Sequence, residues 1–388
     1  MYYYIYADKD ATIYSNSYKD GHLKNTGLDE ILELNKIVPP VNDTIENSRI
    51  LLKFDLTEVS KSINNSIIPK IDKRSDLSSS VHLKLYTSRP TELPIAYSIY
   101  AYPISGSWSM GMGKKYHSPI TKDGVSWRYK TSETTHDNWI TGSSAVPFGN
   151  KSTSSFGTMA YGGGNWYTSS ATSQSFEYQT ADVNMNVNSV VNDWFSNDGI
   201  VSNDGFIIKR SDTDEQSAGN QGTLSFFSRD THTIYPPRLE FKWDDSKWNP
   251  TGSITQVDLS TKNPIVYMKD RGRVFKETSK TRFRVYVRDQ YKNQTAQVGK
   301  YEMFKHYYLP SGSSYYSIKD TVTEETIIPF SNQSKISADK TSCYFNIWMN
   351  GLQPERYYRV LIKAVSGSGT SDEIIHHYDD NFTVKVER

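Results

Sequence analysis

Hydrophobic and polar positions alternate near residue 50 in the way that is typical of a β-strand. Within Ser48–Leu56, one face carries Ile50, Leu52, Phe54 and Leu56, and the other face carries Arg49, Leu51, Lys53 and Asp55. A period of two places alternate side chains on opposite faces of a sheet. The pattern therefore predicts a central strand with its apolar face turned toward a core.

The same alternation recurs along most of the chain. It predicts further strands near residues 81–86, 95–103, 206–209, 224–229, 282–289 and 343–348. Asn186–Phe195 spaces its apolar residues at three and four, which predicts a short amphipathic helix. Tyr, Trp and Phe make up 13% of the residues, and aromatic side chains favour strands. We therefore expect an all-β protein.

Length and composition indicate that the chain forms more than one domain. A chain of 388 residues is long enough for two or three domains with their own cores. The polar stretch around Asn249-Pro250-Thr251-Gly252 has the composition of a linker. We expect a β-sandwich domain at residues 1–245, a linker at 246–262 and a second β-sandwich at 263–388.

Several short motifs in the first 245 residues resemble DNRLRE-type domains, the β-sandwich modules related to disaggregatase repeats. They are, in order, Asp10-Ala11-Thr12-Ile13-Tyr14, Asn25-Thr26-Gly27, Arg49–Leu56, Gly124-Val125-Ser126-Trp127 and a closing run of the form V-x-x-W, G-F-I-I-K, F-F-S and P-x-L-x-F. The resemblance implies a jelly-roll-like first domain. The expanded middle, residues 106–175, departs from a compact module of this kind.

The second domain resembles fibronectin type III domains over one strand. Leu352, Pro354 and Tyr358 match the run that leads into a late strand of that family. The resemblance implies a core position for Leu352 and a tyrosine corner, in which the Tyr358 hydroxyl bonds back to the main chain. The whole order of the chain resembles structural proteins of tailed myoviruses of marine bacteria, which implies a virion component.

Charge changes this picture little. There are 44 Lys and Arg residues against 43 Asp and Glu, for a formal net charge of +1. No global field favours nucleic acid or an anionic membrane as a partner. No apolar run reaches the roughly 18 residues that span a bilayer, and no signal peptide follows Met1. We expect a protein made in a host cytoplasm and assembled into a particle.

The residues that carry chemistry are scattered. No histidine stands at a zinc-type spacing, and no P-loop, dinucleotide fingerprint or nucleophile elbow occurs. We expect no enzymatic activity and no cofactor. Asp212, Asp214 and Glu215 cluster in a polar segment, where a structural calcium ion and a solvated turn are the two alternatives.

Aromatic residues in the long middle segment are the main binding candidates. Trp108, Trp139, Trp166 and Tyr167 lie in a region rich in Gly, Ser and Thr, together with Trp127. They could form a stacking platform for sugar rings, pin long loops to the sandwich, or be buried against a neighbouring subunit. For Trp127, a core or interface position is favoured.

Two functions follow from these observations. The first is a non-enzymatic virion structural protein of the neck, tail or fibre, which docks to other virion proteins as a homo-oligomer. No heptad or repeat fixes the order of that oligomer. The alternative is a carbohydrate-binding module that adsorbs to host glycans.

Overall fold

The computed structural model describes residues 1–15, 18–38, 46–65, 67–69, 79–139, 162–168, 170–177, 181–195, 201–250, 254–269, 274–291, 305–367 and 373–388. The protein is all-β, as the alternation predicted. It divides into two compact units. The N-terminal unit is Ile5–Phe241, and the C-terminal unit is Met1–Tyr4 together with Lys242–Arg388.

The strands of the first part of the chain are β1 Tyr2–Tyr6, β2 Lys9–Tyr14, β3 Ile31–Ile37, β4 Glu46–Lys53, β5 Ser79–Leu85, β6 Thr87–Thr91, β7 Ala96–Pro103, β8 Thr172–Glu177, β9 Val183–Asn186, β10 Phe206–Arg210, β11 Gly222–Phe227 and β12 Arg238–Trp243. The helices are α1 Thr57–Asn64, α2 Asn188–Phe195 and α3 Asp212–Gln216, with a 3-10 helix at Tyr18–Leu23. The strands form a four-stranded sheet in the order β1-β12-β5-β9 and an eight-stranded sheet in the order β6-β11-β3-β4-β10-β7-β8, where β2 pairs with β4.

The segment near residue 50 is the central strand that the pattern predicted. Strand β4 pairs with β2, β3 and β10, each in antiparallel register. Ile50 and Leu52 are buried on one face, and Arg49 and Leu51 are buried on the other. The second face is covered because the chain between β7 and β8 supplies a layer of aromatic side chains over it. The strand is therefore buried on both faces.

Two helical predictions have different outcomes. The helix expected at Asn186–Phe195 is confirmed as α2, with Val190 and Val191 buried. The polar composition of residues 58–80 predicts an exposed loop with at most one helical turn, but α1 runs over Thr57–Asn64. Its Val59 and Ile63, spaced four residues apart, are buried, and this short apolar stripe stabilises a helix whose other positions are polar.

The strands of the C-terminal unit are β13 Thr255–Gln256, β14 Ile265–Met268, β15 Val274–Lys276, β16 Lys280–Arg288, β17 His306–Tyr308, β18 Ser314–Asp320, β19 Thr326–Ile328, β20 Ser337–Ala338, β21 Cys343–Trp348, β22 Tyr357–Ser366, β23 Ile374–Tyr378 and β24 Thr383–Glu387. Short 3-10 helices lie at Asn332–Ser334 and Met349–Gly351. One sheet has the order β13-β17-β16-β21-β20 with β14 on β16, and the other has the order β15-β24-β22-β18-β19 with β23 on β22.

The core of the C-terminal unit also takes in residues that the sequence placed elsewhere. Val257 and Leu259 lie in the segment expected to be a linker, yet both are buried in this core. Tyr2 and Tyr4 belong to it as well, and the Tyr4 hydroxyl donates to the Ile327 carbonyl at 3.2 Å. Apolar residues are few in residues 246–262, and the tyrosine-rich residues 1–6 carry no sign of the unit that they join, so composition alone does not reveal these core positions.

The tyrosine corner is confirmed. The Tyr358 hydroxyl donates a hydrogen bond to the Gln353 carbonyl at 3.0 Å, and both Tyr358 and Leu352 are buried. Cys343 is also buried, and burial raises the pKa of its thiol to about 12. This residue is a small core side chain, as its place in an alternating strand predicted.

Candidate functional site

The tryptophans expected to bind a partner lie inside the N-terminal unit. Trp108, Trp139 and Trp166 are 3%, 0% and 2% exposed, and Trp127 is buried with them. The Trp108 indole N–H donates to the Asp204 carbonyl at 2.9 Å, and the Trp139 indole N–H donates to Ser126 at 3.0 Å. The indole N–H groups of Trp108 and Trp139 are therefore satisfied within the unit.

This burial corrects the predicted binding surface. Trp108, Trp139 and Trp166 are not exposed for a sugar ring or a second subunit, because they pack over the outer face of β4. Tyr167 is half-buried, and its N–H donates to the Pro103 carbonyl at 2.9 Å. Of the alternatives that the sequence left open, pinning long loops to the sheet is what these residues do.

Arg49 lies at the centre of this aromatic layer. Its guanidinium carbon is 4.7 Å from the Trp127 ring centroid and 5.0 Å from the Trp166 centroid. Its Nε and Nη2 donate to Glu215 at 3.0 and 2.6 Å, and Nη1 donates to the Gly163 carbonyl. Bidentate carboxylate pairing and two aromatic faces together compensate the buried charge.

Gly163 is required for this close approach. Its φ of +82° lies in the left-handed region, and a Cβ there would be 2.5 Å from Arg49 Nη1. A side chain would collide with the guanidinium and strain the backbone. The sequence predicts flexible chain at Gly162-Gly163-Gly164, but the structure packs this run against the ion pair.

The suggested calcium site at Asp212, Asp214 and Glu215 is not formed. Glu215 is buried and bonded to Arg49, and its carboxylate lies 3.2 Å from Lys209 Nζ. Burial opposes ionisation of Glu215, but Arg49 and Lys209 hold its pKa below the ordinary value. Asp212 pairs with Lys209 as well. In the described part of the chain, no group of three His, Cys, Asp or Glu side chains could hold a metal ion.

A loop in the same unit does present apolar side chains to solvent. We call Ser109–Val125 the Asn25 loop, after the residue outside the loop whose side chain anchors it. Its ends are joined because Val125 N–H donates to the Ser109 carbonyl at 2.7 Å. Met112 and Tyr116 are 68% and 85% exposed on it. Compact surface loops with closely spaced ends are frequently functional.

Asn25 holds this loop from inside. Its Nδ2 donates to the Met110 carbonyl at 2.6 Å and to the Val125 carbonyl at 2.9 Å, and its Oδ1 accepts from Gly113 N–H at 2.8 Å. Asn25 is fully buried. One side chain therefore satisfies three backbone groups at both ends of the loop.

Glycine again permits the contact. Gly111 has a φ of +75°, and a Cβ on it would lie 2.4 Å from Asn25 Oδ1. Asp29 adds a further anchor by accepting from Lys115 N–H at 3.2 and 3.1 Å. Burial raises the pKa of Asp29 to about 6. The exposed Met112 and Tyr116 side chains therefore lie on a backbone that hydrogen bonds hold at several points.

The sequence showed Asn25 only as part of a turn signal, and it did not single out Met112 or Tyr116. The close spacing of Gly111 and Gly113 was the available sign that another part of the chain approaches there. Nothing local identified Asn25 as that part, since it lies more than 80 residues away.

Comparisons with known proteins give no relative: no family model matches the chain, and neither a curated protein nor a solved structure is similar to it. No helix among the described residues is long and apolar enough to cross a membrane. The resemblances to DNRLRE-type and fibronectin type III domains stay predictions.

Proposed function

We propose that this chain is a non-enzymatic structural protein of a tailed bacteriophage particle, which docks to neighbouring virion proteins through the Asn25 loop. The observation that carries the proposal is the exposure of Met112 and Tyr116 on a backbone anchored by buried Asn25. Large apolar and aromatic side chains that enter a pocket dominate interface energies. The virion itself is inferred from the resemblance of the whole chain.

The anchored loop favours docking because its backbone loses little conformational entropy on binding. Ordering a mobile loop opposes association, and a fixed loop avoids most of that cost. Burying the Met112 and Tyr116 side chains contributes roughly 3–6 kcal/mol before the entropy of association is subtracted. That is too little for a stable one-to-one complex, so repeated copies in a symmetric assembly fit this site better than a single contact does.

The test is incorporation of this chain into particles. We expect mass spectrometry of purified particles to detect the polypeptide, and we expect Tyr116→Asp to lower its amount at least tenfold while the soluble protein stays folded. Tyr291→Asp is the matched control, because Tyr291 is a tyrosine with 77% exposure outside the loop. Particles without the wild-type polypeptide would contradict the virion assignment, and equal incorporation of the two variants would contradict the docking loop.

The alternative, adsorption to host glycans, loses the surface on which it was based. The Trp108, Trp139 and Trp166 rings are buried, so a glycan site needs other residues. The C-terminal unit offers such residues.

A further inference from the structure

A cavity of about 220 Å³ lies beside strands β14, β16 and β17 of the C-terminal unit. We call it the tyrosine pocket, and its lining includes Tyr267, Tyr286, Tyr307, Tyr308, Lys269 and Thr341. Tyr267 and Tyr286 are opposite each other on β14 and β16, and their rings stack with centroids 5.7 Å apart. Ordinary drug-sized sites are about 300–1,000 Å³, so this pocket suits a group the size of one sugar ring.

The polar side chains that line the pocket are hydroxyls, the imidazole of His306 and the ammonium of Lys269. Hydroxyls come from the tyrosines and Thr341, and a positive charge comes from Lys269, whose Nζ is 4.6 Å from the Tyr286 centroid. The Tyr307 hydroxyl is already used, since it donates to Asp289 at 3.0 Å. Among the described residues, the Tyr267 and Tyr286 hydroxyls have no protein partner. They are therefore available to a ligand that carries hydroxyl groups.

Positive charge continues beyond the pocket. A second cavity of about 150 Å³ shares Lys269 and Tyr286 with the first and adds Arg282 and Arg284 to its lining. Arg284 pairs with Asp339 through both Nη atoms, at 3.1 and 3.0 Å. The guanidinium carbon of Arg282 lies 4.2 Å from the Tyr344 centroid, its Nε donates to Asn346 Oδ1 at 3.2 Å, and its Nη1 is 3.9 Å from Asp339 Oδ2. None of the described residues that line the two cavities is a carboxylate.

We propose that these cavities bind an acidic polysaccharide of uronic acid residues. One uronate ring occupies the tyrosine pocket with its hydroxyls on the tyrosines and its carboxylate at Lys269, and the carboxylate of a neighbouring residue reaches Arg282. Sugar hydroxyls match the tyrosine hydroxyls of the pocket, and a regularly repeated negative charge matches the cations beside them. The proposal concerns the C-terminal unit and is independent of the Asn25 loop.

Single-stranded nucleic acid fits this surface less well. Such strands bind by stacking bases on free aromatic faces. Here Lys269 lies over Tyr286 and Arg282 lies over Tyr344, so cations occupy ring faces that bases would need. An acidic polypeptide would satisfy the cations but leaves the pocket hydroxyls without matching groups.

The test is affinity electrophoresis of the full chain through gels that contain alginate, a polymer of uronic acids, or neutral dextran. We expect alginate alone to retard the wild-type protein at 0.15 M salt, where weak surface charge effects are screened at about 8 Å. Lys269→Gln and Tyr286→Ala should each raise the dissociation constant for alginate about tenfold, which is the loss expected for one contact of moderate strength. Lys269 is exposed, so its replacement tests the site without a threat to folding.

The chain contains a matched control pair. Lys363 Nζ lies 5.0 Å from the Tyr315 centroid on the other sheet of the same unit, in the same arrangement as Lys269 on Tyr286. Lys363→Gln and Tyr315→Ala should leave retardation unchanged. Absence of retardation by alginate, or an equal loss in both pairs, would overturn the proposed site. Equal binding of poly-glutamate or of a single-stranded oligonucleotide at the same charge concentration would overturn the assignment to a polysaccharide.

Discussion

The two units place their charged residues in opposite ways. In the N-terminal unit, Arg49, Lys209 and Glu215 are buried beneath a layer of tryptophans. In the C-terminal unit, the core is mainly apolar, one buried carboxylate, Asp320, pairs with the part-exposed Arg356, and cations such as Arg282 lie outside on the sheet. Both units combine cations with aromatic rings, but among the described residues only the N-terminal unit fully buries lysine and arginine side chains.

This difference separates two uses of the same side chains. A buried ion pair contributes little net stability but imposes a large cost when one partner is lost, so it fixes a unique packing of the loops around it. An exposed cation on a ring costs little to form and keeps its N–H groups for a ligand. We infer that the N-terminal unit uses charge to hold loops in place and that the C-terminal unit uses charge to bind.

Glu215→Gln is the strongest way to break this comparison. The change leaves Arg49 buried without a counter-charge and Lys209 with Asp212 alone. We expect the free energy of unfolding of the N-terminal unit to fall by about 3–5 kcal/mol. Hydrogen exchange of peptides from β4 and β10, read by mass spectrometry, measures this loss.

The control is an exposed pair in the C-terminal unit. Glu324, with a side chain 55% exposed, pairs with Arg359 at 2.9 Å. Glu324→Gln should change stability by only about 0–1 kcal/mol, because water screens the pair. A comparable loss in the two variants would show that burial of the charges does not matter, contrary to the comparison.

The sequence predicted the inner layer of the N-terminal unit well and the outer layer poorly. The face of β4 that carries Ile50 and Leu52 was visible because alternation is local. Burial of Arg49 was not visible, since its cover comes from Trp127 and Trp166, which lie about 80 and 120 residues further along the chain. The Trp-rich segment between β7 and β8 indicates that aromatic side chains cover some surface, but not that they cover β4.

The candidate sites show the same limit. Arg284, Tyr286 and Arg288 alternate with valines, so their outward position on β16 follows from the sequence. That Tyr267 stands opposite Tyr286 follows only from strand pairing. Asn25 could be predicted as a turn residue, but its bonds to Met110 and Val125 depend on a loop far along the chain.

The pH dependence of stability is a further test of the comparison, and it depends on Asp10. This carboxyl is buried in the N-terminal unit and accepts from Arg229 N–H at 2.6 Å. Burial raises its pKa to about 7 from an ordinary value near 4. The folded state therefore binds this proton more tightly than the unfolded chain. The stability that it contributes is fully present below about pH 4 and is lost as the pH rises through 7, at about 1.4 kcal/mol per pH unit.

Asp10→Asn tests this pH dependence. An amide keeps an oxygen for Arg229 N–H but cannot ionise, so we expect the variant to be more stable than the wild type at pH 7.5 and equal to it near pH 4. Urea unfolding at a series of pH values measures the slope. Some slope should persist, because Asp29 has a pKa raised to about 6. An unchanged slope in the variant would contradict the role of Asp10.

Replacement of Lys36 should raise the free energy of unfolding instead of lowering it. Its side chain is buried, and among the described residues its Nζ has no hydrogen-bond partner. Burial lowers its pKa. Lys36→Met keeps the chain length and removes a poorly compensated cation, so we expect a gain of about 1–2 kcal/mol in the free energy of unfolding.

Lys61→Met is the control for this gain, because its side chain is 64% exposed. Surface replacements of this kind change stability by about 0.5 kcal/mol or less. A loss of stability in Lys36→Met would show that the Lys36 ammonium has a compensating partner, such as a bound anion. The buried charges of the N-terminal unit would then have more partners than its hydrogen bonds indicate.

The smallest effect is expected in the C-terminal unit, where a single neutral hydrogen bond closes the tyrosine corner. Tyr358→Phe removes the bond from the hydroxyl to the Gln353 carbonyl and leaves the ring in the core. We expect a loss of about 1 kcal/mol, the usual net contribution of one such bond. Tyr315→Phe is the control, since its hydroxyl contact to Gly312 is 3.5 Å long and exposed. If Tyr358→Phe instead cost as much as Glu215→Gln, polar contacts would dominate both units, and the contrast between an ionic and an apolar core would not hold.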